Sequence, residues 1–233
     1  MRTLAKLVQL HTPQTGMYEI TDPCKAGQQT TQLIQVRCDL ETDGGGWTVI
    51  LRRQDTTGHR VSFNRGWDDY ESGFGDLNHE FWLGLRNIHC LTQRDDVDLI
   101  IDLKTVDGNG MVWFYDHFKV AGSNEKYHLT IGKGVGPAYG YDAMAHLNNS
   151  QFTTKDSDND QVEGTNIARV THFGGWWHTA GYYVQLTGQS TRRNFWYNGK
   201  GNPAAYLSSP DYSHFHNIEM RIRPKSCNNE SCG

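Results

Sequence analysis

The chain has 233 residues, of which 36% are hydrophobic and 12% aromatic, and its formal charge is −4 at pH 7. A mean hydropathy of −0.67 leaves no stretch near the ~18 consecutive apolar residues that a membrane-spanning helix needs. The negative charge argues against a nucleic-acid-binding domain, which would carry a basic footprint. Seven Trp and eleven Tyr argue against a disordered protein.

Short strands dominate the predicted elements of the first half of the sequence. Apolar and polar residues alternate with a period of two, or form short apolar runs that end at glycine-rich turns. These patterns predict strands at 16–20, 32–38, 47–51, 98–103 and 112–115, the last two joined by a turn at 107–110.

One helix is predicted between these strands, over 78–90. Asn78 is a suitable N-cap, and Phe81, Leu85 and Ile88 repeat at helical spacing. From residue 132 to residue 210 the pattern dissolves into Gly, Asn, Asp and aromatic residues. So long an irregular segment is typically functional, and a metal ion, a disulfide or aromatic packing must order it.

Four acidic side chains crowd into the loop at 155–164: Asp156, Asp158, Asp160 and Glu163. Calcium takes about 6–8 oxygen ligands, which alternating carboxylates and the carbonyls between them can supply. An EF-hand is excluded, because its glycine position falls on Gln161 and its glutamate position on Ile167. The loop is therefore either a calcium site of another type or a solvated acidic turn.

A second candidate region is the glycine-flanked aromatic segment at 174–183. Aromatic faces beside backbone donors suit small ligands that carry methyl and carbonyl groups, such as N-acetyl sugars. Trp176 and Trp177 are alternatively core residues, and for Trp176 we favour that interpretation. His178 and Tyr182, with polar tips, are the better candidates for a pocket wall.

Catalytic motifs are missing from the sequence. It contains no Gly-x-Ser-x-Gly nucleophile elbow, and the string that begins at His79-Glu80 has Leu83 where a zinc protease needs its second His. The glycine run at 132–136 lacks the Lys-Ser/Thr of a phosphate-binding loop. We therefore expect a binding protein and not an enzyme.

The five cysteines and two glycosylation sequons favour an extracellular, disulfide-bonded glycoprotein. The cysteines show no zinc spacing, and the sequons begin at Asn148 and Asn229. An odd number of cysteines leaves at least one thiol free or paired with another polypeptide. The first residues lack a long apolar segment, so the sequence is expected to be a mature or excised domain of a secreted protein.

Six strings in order resemble the fibrinogen C-terminal (fibrinogen-related) domain family, whose acetyl-binding members include ficolins and tachylectins. They are Asp43-Gly44-Gly45-Gly46-Trp47-Thr48-Val49, Phe63 to Gly75 (FNRGWDDYESGFG), Glu80 to His89 (EFWLGLRNIH), Phe152 to Asp160 (FTTKDSDND), Gly174-Gly175-Trp176-Trp177 and Glu219 to Pro224 (EMRIRP). The resemblance covers most of the sequence.

The resemblance implies an α+β fold: an N-terminal hairpin region, a central mixed sheet with short helices, and a loop-rich C-terminal region. It implies one domain over 1–226 and a tail over 227–233. The family's calcium ligands fall on the side chains of Asp158 and Asp160 and on the carbonyls of Val162 and Gly164. Asp156 would then lie near the ion without binding it.

A ligand pocket beside the calcium ion is also implied. Its candidate residues are His172, Ala180, Gly181, Tyr182, Tyr197 and Tyr212, with Tyr206 as a further candidate for the wall. In acetyl-binding relatives the peptide bond equivalent to Ala180–Gly181 is cis. Here Ile167 and Gly181 replace two cysteines that the family usually bridges, so support for that bond is weakened.

The disulfides of this protein must also differ from the family pattern, because the N-terminal partner expected near Leu4 is missing. We expect Cys24 to pair with Cys38 and Cys227 with Cys232. Cys90 would then be a buried small hydrophobic residue.

The resulting functional expectation is a secreted, calcium-dependent lectin of innate immunity that binds acetylated carbohydrates on microbial surfaces. The alternative is a protein- or receptor-binding module of the angiopoietin or fibrinogen type, with an altered pocket. Either would act as a homo-oligomer in the full-length protein, because single-site affinity for a small ligand is weak. Nucleic acid is not an expected partner.

Overall fold

The computed structural model describes residues 14–25, 32–54, 60–105, 107–137, 140–189, 194–197 and 212–228. For residues 212–214 and 227–228 it describes the backbone alone.

A nine-stranded sheet forms the centre of the molecule, with its main path in the order β1-β2-β3-β14-β6-β7-β10. Two short strands, β4 and β5, join this sheet through β3. Its strands are Gly16–Thr21 (β1), Leu33–Asp39 (β2), Trp47–Arg53 (β3), Phe74–Gly75 (β4), Phe81–Trp82 (β5), Val97–Lys104 (β6), Gly110–Tyr115 (β7), Gly134–Val135 (β10) and Asn217–Pro224 (β14).

The C-terminal strand β14 holds this sheet together, because it lies between β3 and β6. Ile218, Met220 and Ile222 alternate along β14, and all three side chains are at most 2% exposed. Apolar side chains at every second residue are what a strand with one face on the core requires. Every described strand pair is antiparallel. The mixed sheet that we expected would also contain parallel pairs.

Two smaller sheets complete the described part of the fold. Phe118–Val120 (β8) pairs with Leu129–Ile131 (β9), and the second sheet has the order β11-β12-β13. Its strands are Val184–Gln185 (β11), Phe195–Tyr197 (β12) and Tyr212–His214 (β13). The other described residues between 132 and 210 form mostly turns and loops, as predicted, apart from the short strand Gly134–Val135, a 3-10 turn at Met144–Leu147 and the short helix Ile167–Thr171.

The α-helices among the described residues are Trp67–Ser72 (α1), Leu85–Arg94 (α2) and Ile167–Thr171 (α3). The predicted helix over 78–90 is wrong at its start, because Phe81–Trp82 pairs with β3 as a strand. Both of these rings are buried, and Gly84 then turns the backbone with a φ of 100°. A positive φ is costly for residues with a Cβ atom, so the helix begins after this glycine.

The disulfide among the described cysteines joins Cys24 to Cys90, with the two Cα atoms 5.1 Å apart. The predicted Cys24–Cys38 pair is therefore wrong, and so is the prediction that Cys90 is an unpaired core residue. Cys38 is 1% exposed because its position in β2 faces the core. Cys90 lies two residues after the buried Ile88 on α2, and it faces away from the core towards Cys24. The predicted Cys227–Cys232 pair lies outside the described side chains.

The three-part α+β architecture is confirmed, and all five predicted strands are present within two residues of their expected ends. A final short turn covers Lys225–Asn228. The boundary between a domain at 1–226 and a tail at 227–233 stays a prediction, because residues 229–233 are outside the described ranges. Among the described residues, no helix is long and apolar enough to cross a membrane.

Candidate functional site

The acidic loop is fixed by the carboxylate of Asp160, which accepts two backbone hydrogen bonds. Its Oδ1 atom accepts from the amide of Val162 at 2.9 Å and its Oδ2 atom from the amide of Ile167 at 2.8 Å. The second bond joins the loop to the first residue of α3. Asp160 therefore shapes the loop as well as offering oxygen atoms to a ligand.

Asp158 lies within hydrogen-bonding reach of Asp160, so two carboxyl groups face each other. Burial raises the pKa of Asp160, and the negative charge of Asp158 raises it further, while the two backbone donors oppose the shift. A facing pair of carboxylates is unfavourable unless a proton or a cation lies between them. This donor set fits a hard divalent cation such as calcium.

The backbone carbonyls assigned by the resemblance lie in the same loop. The Val162 carbonyl accepts a bond from the Thr165 amide at 3.2 Å, which leaves it one lone pair. Gly164 is exposed and has a φ of 74°. Among the described residues no group of three or more His, Cys, Asp or Glu side chains could hold a metal ion. An ion here would therefore depend on two carboxylates completed by carbonyls and water.

Asp156 has a different task, because it joins the loop to helix α1. Its Oδ1 atom accepts from the Trp67 amide at 2.9 Å and from the Thr154 hydroxyl at 2.6 Å. A Cβ atom on Gly66, which precedes α1, would lie 2.4 Å from the Asp156 Oδ2 atom. Two of the six strings that underlie the family resemblance thus meet at this contact.

The tryptophan pair belongs to the core, as we favoured for Trp176. Both rings are fully buried, and the Trp177 indole donates to the Tyr127 carbonyl at 2.8 Å. Backbone bonds between Thr153 and Trp176, at 2.9 and 3.0 Å, hold the residues just before the acidic loop against this pair. The core therefore positions the loop directly.

His178 is not a pocket wall, because its side chain is 5% exposed. Its Nε2 atom lies 3.0 Å from the Gly174 carbonyl. Burial lowers the pKa of His178 from its ordinary value of 6.5 to about 4, and the bond to the carbonyl opposes this shift only in part. The ring is thus neutral at pH 7 and donates one structural hydrogen bond.

A group of rings that we call the aromatic surface lies beside the loop: Tyr141, His146, Tyr182 and Tyr183. The rings of His146 and Tyr183 stack at 3.7 Å with an interplanar angle of 3°. Tyr141 hydrogen-bonds to His146 through its hydroxyl group. Tyr197 lies beneath this surface, 4% exposed, with its ring 5.2 Å from that of Tyr141. The sequence analysis missed Tyr141 and His146, because their place in this surface depends on contacts with the distant Tyr183 and Tyr197.

The acidic loop and the aromatic surface share one small hydrophobic cluster. Its buried members are Ile167, Phe173, Phe195 and Tyr197. Val162 of the loop packs against this cluster, and so do Tyr141, Tyr182 and Tyr183. The position of the loop and the position of the rings are therefore coupled through direct packing.

Of the remaining predicted pocket residues, Gly181 contacts the aromatic surface, whereas no contact with that surface is described for Ala180 or His172. Tyr183 covers Gly181 so closely that a Cβ atom on the glycine would lie 2.4 Å from the ring. Ala180 is exposed, and the Ala180–Gly181 bond is trans, as are all peptide bonds of the described residues. His172 is exposed at the end of α3, with its Nδ1 atom 3.5 Å from the Asn64 amide nitrogen.

Two candidates for the pocket wall fall at the margin of the described ranges. Tyr212 lies opposite Tyr197 in the pairing of β12 with β13, and only its backbone is described. Tyr206 is not among the described residues.

A polar groove of about 500 Å³ is lined in part by the acidic loop, through Asn159 and Gln161. Five carboxamide side chains line it, together with Glu125 and His128: Asn124, Asn149, Gln151, Asn159 and Gln161. The Asn159 amide group donates to the Phe152 carbonyl at 2.9 Å, which fixes that wall of the groove.

The fold is that of a fibrinogen-like domain. The family model for the globular domain at the C-terminus of the fibrinogen beta and gamma chains matches residues 6–225. The protein therefore belongs to this family, as the sequence strings predicted. Membership in its acetyl-binding branch stays a prediction.

Several proteins of known name are similar to this chain, and the chain matches a different share of the length of each. Fibrinogen-like protein A of Apostichopus parvimensis is 37% identical over 232 residues, covering 93% of this chain and 78% of that protein. Fibroleukin of Bos taurus is 38% identical over 82% of this chain. Tenascin-R of Gallus gallus is 38% identical over 93% of this chain. The chain spans only 45% of fibroleukin and 15% of tenascin-R.

Solved structures give the same fold. The fibrinogen-like globe domain of human ANGPTL6 has a TM-score of 0.70 and 31% identity, covering 96% of this chain and 95% of that one. Lamprey fibrin D-dimer, in complex with the peptide Gly-His-Arg-Pro-amide, has a TM-score of 0.71 and 26% identity, covering 96% of this chain and 73% of that one.

Proposed function

We propose that this protein is an extracellular protein-recognition domain in which calcium orders the acidic loop and the aromatic surface binds a peptide segment of a partner. The observation that carries the proposal is the shared hydrophobic cluster. Val162 of the loop packs against the same buried cluster as Tyr141, Tyr182 and Tyr183 of the aromatic surface. An extracellular location is supported by the Cys24–Cys90 disulfide, since disulfides persist in oxidising compartments.

Calcium, when bound, supplies the positive charge that the facing carboxylates of Asp158 and Asp160 lack. The carbonyls of Val162 and Gly164 would complete the ligand set with water. Asp160 keeps its bonds to the Val162 and Ile167 amides, so the loop transmits its order to α3 and to the cluster. The protein's own residues therefore orient the aromatic surface.

A peptide fits this surface better than an acetyl group enclosed beside Gly181. The ring of Tyr183 already occupies the space over Gly181, and His178 is turned into the core. Stacked rings at an open surface suit proline rings and cationic side chains. Burial lowers the pKa of His146, and the nearby Asp142 carboxylate opposes this shift, so His146 is neutral at pH 7 and does not repel a cation. The peptide complex of lamprey fibrin supports this choice of ligand class.

The proposal is tested by titrating Gly-His-Arg-Pro-amide, and then a basic, proline-rich peptide library, into the domain with calcium. We expect saturable binding to wild type and at least tenfold weaker binding to Tyr183→Ala, because stacking on His146 is lost. Tyr18→Ala, which removes a half-buried tyrosine from β1, is the matched control and should bind like wild type.

Recognition of acetylated glycans is the competing proposal, supported by the half-buried Tyr182 beside Gly181. A glycan array, with elution by acetate or N-acetylglucosamine, separates the two. Retention on acetylated glycans without peptide binding would overturn the protein-recognition proposal. In either case we propose that oligomers of the full-length protein provide the avidity.

A further inference from the structure

The sequon Asn148-Asn149-Ser150 forms the tip of a tight turn. The Ser150 amide donates to the Leu147 carbonyl at 3.0 Å. Asn148 has φ −57° and ψ 133°, and Asn149 has φ 66°. These angles match the two central residues of a type II turn. Both asparagines are exposed.

The side chain of Asn148 is held by one end only. Its Oδ1 atom accepts a bond from the Ile131 amide at 3.0 Å. Its Nδ2 atom has no hydrogen-bond partner among the described residues. The carboxamide is therefore oriented by its oxygen, and its nitrogen is left unpaired at an exposed position. A sugar on Nδ2 would leave the Oδ1 bond intact.

The surroundings of this turn are polar. Asn149 lines the polar groove, and its Oδ1 atom lies 3.3 Å from His128 Nε2. Carboxamide groups can donate to and accept from sugar hydroxyls, so a glycan here meets a compatible surface. Ser150 is 1% exposed in the folded protein, which is no obstacle if the sugar is transferred before folding.

We propose that Asn148 carries an N-linked glycan next to the polar groove, which the neighbouring residue Asn149 lines. In the transfer step, Asn148 Nδ2 bonds to the anomeric carbon of the first N-acetylglucosamine of a lipid-diphosphate-linked oligosaccharide. The bond from that carbon to the diphosphate oxygen breaks, the lipid diphosphate leaves with the electron pair, and the amide loses one proton. The inference rests on the extracellular location that is part of the proposed function. It does not depend on which ligand the domain binds.

The test is to secrete the protein from insect or mammalian cells in an Asn229→Gln background, which removes the second sequon. Treatment with peptide N-glycosidase in heavy-oxygen water should convert Asn148 to labelled aspartate. Asn148→Gln should abolish the mass loss on deglycosylation. Asn149→Gly, which suits the turn and keeps the sequon, should retain it.

Ser150→Ala provides a second variant, should Asn148→Gln fail to fold. It removes the sequon while Asn148 keeps its bond to Ile131, and it should also abolish the mass loss. An unmodified Asn148 in wild-type protein recovered from the medium would overturn the proposal. Glycan occupancy is read by mass, so it stays measurable even if neither peptides nor glycans bind to the domain.

Discussion

At the scale of single residues, burial decides what His178 can do. Its ring is enclosed in the core, where its Nε2 atom hydrogen-bonds to the Gly174 carbonyl. Since its pKa falls from 6.5 to about 4, the folded protein does not bind a proton at this ring between those two pH values. The unfolded protein does, so the free energy of unfolding must fall as the pH falls through this window.

We therefore predict that His178→Gln removes part of the acid sensitivity of the fold. Glutamine does not titrate, and its amide can still donate to Gly174. Urea unfolding of wild type should lose roughly 3 kcal/mol between pH 6.5 and pH 4 through this residue, and the variant should lose correspondingly less. Equal pH slopes for the two proteins would contradict the burial argument.

At the scale of elements, Asp156 joins two segments that are far apart in sequence. Helix α1 has no side-chain cap from its own N-terminal residue, Gly66, and the Trp67 amide bonds to Asp156 instead. Asp156→Ala should lower the free energy of unfolding by about 1–2 kcal/mol, because this amide loses its acceptor.

Two comparison variants sharpen this prediction. Asp156→Asn keeps the Oδ1 acceptor and should lose much less stability in the same urea titration. Asp68→Ala removes an exposed acid from the first turn of α1 and should cost only a few tenths of a kcal/mol. Equal losses for Asp156→Ala and Asp68→Ala would show that charge, and not the hydrogen bond, stabilises α1.

Strands could be predicted from the sequence more reliably than the helix that lies between them. Period-two alternation is local and survives in β1 and β2 as expected. Phe81 also fits a helical repeat, so local spacing could not show that it pairs with Arg52 of β3. That pairing is a contact between distant segments, which overrides the local pattern.

The candidate site, like the fold, could be predicted from the sequence only in part. The alternating aspartates identified the loop, and the paired Trp residues identified a core anchor. The partner of Cys24 and the roles of Tyr141 and His146 depend on which segments meet in space. Spacing along the sequence holds no such information.

At the scale of the whole molecule, the Cys24–Cys90 bridge links the N-terminal hairpin to α2 across a sequence separation of 66 residues. A cross-link of this span restricts the unfolded state, so replacing both cysteines by alanine should cost about 4 kcal/mol. Urea unfolding with and without a reductant measures this effect.

The control for this prediction is Cys38→Ala, which removes a buried thiol and leaves the bridge intact. That variant should stay sensitive to the reductant, as wild type does. The double variant Cys24→Ala/Cys90→Ala should have lost most of this sensitivity. Undiminished sensitivity in the double variant would show that another bridge dominates stability.

The central claim is that one calcium ion between Asp158 and Asp160 orders the loop that supports the aromatic surface. Calorimetric titration of the domain with calcium tests it most directly. We expect one site, with a dissociation constant on the order of 10⁻⁴–10⁻³ M or tighter. The site should be lost in Asp158→Ala and kept in Glu163→Gln, which removes an exposed acid from the same loop. Wild-type protein that binds no calcium, or that binds it equally well as Asp158→Ala, would contradict the account.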